Sequence, residues 1–480
     1  MSWRERYTFD AMTKRDADYD LAVIGGGSAG YAAARTATSL GLKTAVIDGA
    51  DELGGLCILR GCMPTKALLH AAEVLHLAGK AHTWGIHCEK PGFDFSKVMA
   101  RKDEMIRGFA QYRQEQLKDG RFALFNAQAQ FEDSHTVRLS DGHTLSARHF
   151  VVATGSTLGP CPIAELKQMN CLSSDTALKL TKLPKSMIVL GGGAVAVEFA
   201  QFFARFGVRV ILIQRSAHIL QGFDTDAAEV VEAVLRREGV ELYIGTKLLS
   251  ARMRDGLKEI TFEHGIGKVV NVQAEEVFYG LGRVPNVRDL CLDKAGVILD
   301  RGRIVTNARM QTSASHIYAA GDCAGLHEVV HVAIQQGEIS AHNIARPHNP
   351  REMDYRLLVE VVFSDPQVAQ VGLNEKRARL QKVPHLVAKY PFNDHGKSLI
   401  MDATDGFVKL LAEPTSGEIL GGCCAGPMGS DLIHEIVAAM CKRMTVTEVA
   451  AMPHYHPTLA EIWTYPAEEI MEHIGNSISS

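Results

Sequence analysis

Short apolar runs that end in glycine alternate with alanine-rich or amphipathic stretches through the first two-thirds of the chain. Tyr19 to Ile24 (YDLAVI) reads as a buried parallel strand, Gly25 to Gly30 as a tight loop, and the alanine-rich segment to Leu40 as a helix. Lys43 to Ile47 is a second strand. Thr65 to Ala78 (TKALLHAAEVLHLA) carries helical periodicity, and a polar stretch without a clear element runs to about Lys118. Short strands follow at Arg121 to Ala127, Thr136 to Leu139 and His149 to Ala153, the last ending in a Thr154-Gly155 turn that reads as a domain exit. The first pattern then recurs: strand Ser186 to Leu190, glycine loop, helix Val197 to Phe206, strand Val208 to Ile213. From about Met353 strand-like segments (Leu357 to Phe363, Gly406 to Leu411, Glu418 to Gly422) precede a helix, Asp431 to Met444. Leu432, Ile433, Ile436, Val437 and Met440 give that helix one apolar face. The pattern predicts an α/β protein with two Rossmann-like dinucleotide-binding domains followed by an α+β domain.

A chain of 480 residues has room for about three domains. With 46% hydrophobic residues it has ample material for buried cores, and a net charge of -4 gives no electrostatic case for nucleic acid or an acidic membrane surface. The first eighteen residues are charged and lack a secretory apolar core, and no run of 18 uncharged apolar residues occurs. The expectation is a soluble, cytoplasmic protein. Ten cysteines are too few for a disulfide scaffold, and in a reducing compartment a close cysteine pair points to catalysis.

Such a pair is Cys57 and Cys62, in GGLCILRGCMPTK. Glycines between and before them let the backbone curl enough for a bridge. Cys62 falls near a helix start, where the macrodipole favours a thiolate, with Lys66 one turn on and Arg60 beside it. Spacing alone leaves open a redox-active pair or two inert buried thiols. In the first glycine loop, Gly25 permits the tight turn, Gly27 the approach of a pyrophosphate and Gly30 close helix packing, while Asp48 stands where a ribose hydroxyl is accepted. The second loop has Gly191 and Gly193, with Ala196 as the third small residue. There the acid is replaced by Gln214, followed by Arg215, which removes repulsion of a 2'-phosphate and supplies a cation. NADPH is therefore preferred, with NADH the alternative and an exposed surface arginine the simpler reading of Arg215.

Two dinucleotide loops flanking a cysteine pair suggest electron flow from nicotinamide to flavin to disulfide to substrate. Here the chain resembles the flavin-dependent pyridine nucleotide-disulfide oxidoreductases, the family of dihydrolipoamide dehydrogenase, glutathione reductase and mercuric reductase. The resemblance runs from about Tyr19 to beyond Glu461. It implies that Gly25, Gly27, Gly30, Asp48 and Gly155 bind FAD and that Asp322, in IYAAGD, contacts the ribityl chain. By the same resemblance Cys62 is the thiol on the flavin, Cys57 the thiol that exchanges with substrate, and Lys66 with Glu198 the pair beside the reactive flavin nitrogen. Gly280, Gly282, Arg283, Pro285 and Asn286 match the turn back to the flavin domain. The implied division is an N-terminal extension (1–18), an FAD domain (19–155 and 286–352), an NAD(P) domain (156–285) and a dimerisation domain (353–480).

His456 and Glu461 complete the chemistry. Disulfide exchange needs a group that takes and returns a proton, and a carboxylate on the second imidazole nitrogen holds its tautomer. A histidine before proline is by itself usually a turn residue; the family match assigns it as the acid-base, reaching the cysteines of the partner in a homodimer. The expected substrate is a small disulfide or dithiol, lipoyl-bearing by the His454-to-Glu461 motif, although Ile58, Leu59 and Arg60 depart from the family's usual segment. A reductase of metal ions or oxidants and a non-catalytic flavoprotein scaffold are the alternatives, the latter opposed by the joint presence of Cys57, Cys62, His456 and Glu461. The HEVVH run from His327 to His331 has zinc-like spacing but follows the flavin motif, so no metal site is assigned. Cys423 and Cys424 read as buried strand thiols.

Overall fold

The computed structural model describes residues 17–88, 91–325 and 327–478, so all but the last two residues of the expected N-terminal extension lie outside it. The chain forms two compact units.

One unit takes the described residues up to Gly55 with Ala110–Thr157 and Val284–Met353. Its parallel strands run in the order Ala123–Phe125, Thr44–Ile47, Tyr19–Ile24, Thr144–Val152 and Ile317–Ala319. Antiparallel strands Thr136–Leu139 and Ala129–Phe131 extend the sheet beyond Thr144–Val152. Leu21, Ala22 and Val23 are wholly buried, as a central parallel strand requires. Helix Ser28–Ser39 packs so closely on helix Val330–Ala345 that a Cβ on Gly337 would stand 2.2 Å from the Ala29 carbonyl oxygen.

The other unit takes Leu56–Phe109, Leu158–Arg283 and the described residues from Asp354. It holds a parallel sheet (Glu241–Tyr243, Arg209–Ile213, Ser186–Leu190, Glu276–Tyr279), a three-stranded antiparallel sheet over Thr246–Arg254, Leu257–His264 and Val269–Ala274, and a five-stranded antiparallel sheet. The last runs in the order Val359–Val362, Gln367–Gly372, Ile419–Gly426, Phe407–Ala412 and Leu386–Pro391. Helix Gly429–Cys441 lays Ile433, Ile436 and Met440 on this sheet's core, with Leu432 and Val437 at its margin. The stretch left without an element before Lys118 is a 24-residue helix, Phe95–Lys118. No described helix is long and apolar enough to cross a membrane.

A buried lysine joins the C-terminal sheet to the helix ends around it. Lys409, 1% exposed in strand Phe407–Ala412, reaches Asp224 at 3.2 Å, Asp226 at 2.8 Å and Glu375 at 2.7 Å. Asp224 also accepts from the backbone N–H groups of Glu375 and Lys376. Burial works to lower the Lys409 pKa, but hydrogen bonds to Asp226 and Glu375 outweigh it and the ammonium is held charged. Lys409→Met therefore strands three carboxylates. It is expected to cost about 3–5 kcal/mol, measured as a lowered urea midpoint and thermal midpoint by circular dichroism.

Candidate active site

Cys57 lies in the short helix Gly55–Leu59, and Cys62 is the first residue of helix Cys62–Gly79, which starts three residues earlier than its periodicity suggests. The turn between them is tight: a Cβ on Gly61 would stand 3.0 Å from the Leu56 carbonyl oxygen and 3.2 Å from Cys57 Cα. Both cysteines are half-buried, and their side chains are hydrogen-bonded to each other. That bond splits their acidities. The bond from Cys57 lowers the Cys62 pKa to about 7, against desolvation and with help from the Lys66 ammonium, while the same bond and burial push Cys57 well above the ordinary thiol range.

Lys66 is fixed by Glu198, whose two carboxylate oxygens lie 3.0 and 2.8 Å from its Nζ. Glu198 is nearly inaccessible at 2% and also accepts from the Phe363 backbone N–H at 2.9 Å. The Lys66 ammonium sits 4.6 Å from the centre of the Phe363 ring. The predicted Lys66–Glu198 pair is thus one side of a three-cornered contact; Phe363 carried no signal in the sequence. Arg60, half exposed, faces Asp175 at 3.9 Å, and Asp175 also faces Arg283 at 3.8 Å, so the charge beside the cysteines is partly neutralised.

Of the two histidines near the C-terminus, His454 is occupied: its Nε2 meets Glu435 at 2.7 Å and its Nδ1 the Met452 carbonyl at 3.0 Å. His456 differs. Its Nδ1 lies 3.0 Å from Glu461 Oε2, while its side chain is 78% exposed, leaving Nε2 able to exchange a proton with something outside. Buried Ile462 and Trp463, on the same 3-10 turn Ala460–Trp463, anchor the carboxylate.

The first glycine loop fits a dinucleotide. Gly25 has φ +103°, and a Cβ there would stand 2.3 Å from the Ala153 carbonyl oxygen; one on Gly30 would overlap the Gly25 carbonyl oxygen at 1.7 Å. Gly27 caps helix Ser28–Ser39 without a side-chain hydrogen bond, which leaves the helix N-terminus to a phosphate. Asp48 accepts from the N–H of Gly26 at 2.8 Å and of Ala50 at 2.9 Å, with lone pairs left for a ribose. In the same unit Asp322 Oδ2 accepts from Ser156 at 2.7 Å, the Gly321 N–H donates to Gln336, and the Asn286 N–H donates to the Gly155 carbonyl. Thr154 Oγ1, next to Gly155, is buried with no hydrogen-bond partner. These groups suit FAD.

The second loop repeats the construction. Gly193 caps helix Ala194–Arg205, again with no side-chain bond. Ala196 is fully buried, and a Cβ on Gly280 would stand 2.9 Å from its methyl, so nothing larger fits at the third position. Gln214 lies over Gly192 and donates to the His218 carbonyl at 3.4 Å. Arg215 is exposed and forms no ion pair among the described residues. Gly282 has φ +107° and accepts from the Gly159 N–H at 3.1 Å.

His327 precedes helix Val330–Ala345 and His331 is its second residue, so the two do not share one helical face. Among the described residues no group of three or more His, Cys, Asp and Glu side chains is placed to hold a metal. Cys423 and Cys424 are buried in strand Ile419–Gly426. One residue that bears on the site escaped the sequence: His395, wholly buried, with Nε2 3.4 Å from Glu461 Oε1.

Comparison with known proteins gives the family. Residues 19–337 match the model of the pyridine nucleotide-disulphide oxidoreductases, and residues 358–467 that family's dimerisation domain. A dihydrolipoyl dehydrogenase of Chlamydia muridarum is 35% identical over 455 residues, 94% of this chain and 96% of that protein. One of Bacillus subtilis is 33% identical over 457 residues, 92% and 96% of the two chains. In fold, the chain is similar to the HOCl-induced flavoprotein disulfide reductase RclA of Escherichia coli, with a TM-score of 0.83 at 24% identity, covering 94% of this chain and 99% of that one. The family's cofactors are FAD and a pyridine nucleotide. The chain belongs to the pyridine nucleotide-disulphide oxidoreductase family and is a flavin-dependent disulfide oxidoreductase.

Proposed function

We propose that this enzyme interconverts a small lipoyl-type dithiol and its disulfide, using NADPH in preference to NADH, as a homodimer whose two active sites each take residues from both subunits. The observation that carries the reading is the unequal cysteine pair together with an exposed, carboxylate-backed His456. Residues 19–155 with 286–352 are assigned to FAD, 156–285 to the nicotinamide nucleotide and 353–480 to dimerisation. When bound, FAD supplies the two-electron link between the nicotinamide and the Cys57–Cys62 disulfide.

The chain's own residues do the thiol chemistry. Once the pair is reduced, Cys57 is protonated at neutral pH and cannot attack unaided. The partner subunit's His456 takes that proton at Nε2, with Glu461 steadying the resulting imidazolium through Nδ1. Cys57 then attacks one sulfur of the substrate disulfide, forming a mixed disulfide and a leaving thiolate, to which His456 returns a proton. Cys62, whose thiolate form grows through neutral pH from a pKa of about 7, attacks Cys57 and expels the second substrate thiolate, which leaves as a thiol after taking a proton from water. The Cys57–Cys62 disulfide is restored, and the substrate has gained two electrons and two protons. In the opposite direction the same steps oxidise a dithiol. Lys66, held by Glu198, supplies a fixed positive charge beside Cys62.

The NADPH preference rests on Gln214 and Arg215, where a neutral amide and a free guanidinium replace the acid that would repel a 2'-phosphate. The decisive experiment is anaerobic stopped-flow reduction by NADPH and by NADH, followed by mixing with lipoamide and, in parallel, Hg(II). Rapid reoxidation by lipoamide supports the reading; a reduced enzyme untouched by lipoamide but reoxidised by Hg(II) overturns it.

Cys57→Ser and Cys62→Ser are each expected to abolish lipoamide turnover with FAD still bound, checked by turnover and by flavin absorbance. Arg215→Glu is expected to raise KM for NADPH about tenfold or more while sparing NADH, since a charge-assisted hydrogen bond is worth about 1.5–3 kcal/mol; steady-state kinetics with each nucleotide reads the ratio. Because the Cys62 pKa is lowered to about 7, its thiolate fraction rises through neutral pH. Iodoacetamide labelling of Cys62 in the reduced protein, followed by mass spectrometry, should therefore accelerate with a midpoint near pH 7, and Cys57→Ala should move that midpoint upward by removing the hydrogen bond from Cys57.

A further inference from the structure

Glu461 is approached from two sides. Its Oε2 faces His456 Nδ1 at 3.0 Å, and its Oε1 faces His395 Nε2 at 3.4 Å. The two imidazoles are unlike. His456 is 78% exposed; His395 is wholly buried, and its Nε2 makes no formed hydrogen bond, with Glu461 Oε1 at 3.4 Å as its near acceptor. The other ring nitrogen of His395, Nδ1, meets Ser398 Oγ at 2.9 Å. Tyr465 closes the ring's side edge-on at 6.4 Å between centroids, and Tyr390 stacks on Tyr465 at 4.0 Å.

Chemistry fixes the protons. Burial lowers the pKa of His395 against the pull of Glu461, with His456 adding repulsion, so the buried ring is neutral and carries one N–H. A hydroxyl can donate to Nδ1, whereas a carboxylate can only accept; the consistent arrangement is Ser398 O–H donating to Nδ1 and the ring proton on Nε2, turned toward Glu461 Oε1 across a long 3.4 Å contact. The carboxylate, 12% exposed, thus has a buried imidazole N–H facing the oxygen away from His456, and turning from it would take that donor's near acceptor away.

We propose that His395 is a positioning residue for the acid-base pair, a buried neutral imidazole that clamps the far oxygen of Glu461 so that the near oxygen stays on His456. The inference rests on the role given to His456 and Glu461 above. It adds a Ser398–His395–Glu461–His456 chain in which only the last member meets substrate. Among the described residues the groups facing His395 are Glu461, His456, Ser398 and the Tyr465 ring, and the one carboxylate acting on it is Glu461.

The test uses the FAD-loaded full-length enzyme labelled at histidine Cε1, with His456 assigned by His456→Gln and its titration followed by NMR. Glu461→Gln is the control and should lower the His456 midpoint. His395→Leu is expected to lower it in the same direction, by about one pH unit, and to reduce kcat for lipoamide about tenfold at unchanged KM. His395→Gln, whose amide nitrogen can stand where Nε2 stands, should restore both. Ser398→Ala should give a smaller shift of the same sign and provides a second variant if His395→Leu fails to retain FAD. A merely structural His395 would change the thermal midpoint and leave the His456 titration where it was. If Glu461→Gln moves the His456 midpoint but neither His395→Leu nor Ser398→Ala does, the proposal is wrong. If Glu461→Gln itself has no effect, the pairing of His456 with Glu461 fails instead; and if lipoamide is not turned over, the titration still reports on His395.

Discussion

The unit that carries the cysteines depends on one buried carboxylate. Glu198 lies in the helix after the second glycine loop with almost no access to water, and an anion so placed is tolerable only with donors on every side. It receives the Lys66 ammonium from the helix that begins at Cys62 and the Phe363 backbone N–H from the segment following strand Val359–Val362. Three stretches of chain far apart in sequence are therefore registered by a single charge. Because Lys66 stands one turn beyond Cys62, the register also fixes the orientation of the helix end at which the thiolate forms.

A second carboxylate, Glu461, works on a smaller scale by the same rule. It is mostly buried, yet it serves an exposed imidazole, and its orientation is set from behind by a ring that never meets solvent. Lys409 reverses the signs, one buried cation among three carboxylates. In each case a charge removed from water is kept by partners drawn from several elements, so the fold is specified by polar contacts as well as by its apolar cores.

Most of the architecture was legible because its signals are local. The strands and helices around the two glycine loops follow from apolar runs and from glycine, and Ser186–Leu190 is found with its predicted limits. Helix Phe95–Lys118 was missed because its inward face includes Lys102, Arg113 and Gln114, which break the apolar period. Lys102 is satisfied by the Leu178 carbonyl and Arg113 lies over the Tyr31 ring at 4.0 Å, contacts that sequence spacing does not reveal. The HEVVH spacing suggested a helical face that the chain does not build, since the helix starts after His327. His395 was invisible for a different reason: it stands 66 positions before Glu461, and a lone histidine in a polar segment carries no period, cap or motif.

The buried cysteines have a consequence for the chemistry of the whole molecule. Desolvation raises the pKa of Cys423 to about 12 and of Cys323 to about 11, and raises Cys424 as well. A thiol in that range is almost entirely protonated in neutral water and is a poor nucleophile. A protein that opens and closes a disulfide in every cycle risks having its bridge captured by its own spare sulfur atoms. Here burial acts as electrical insulation, because the spare thiols in the core are withheld from exchange by the same dry surroundings that let them pack.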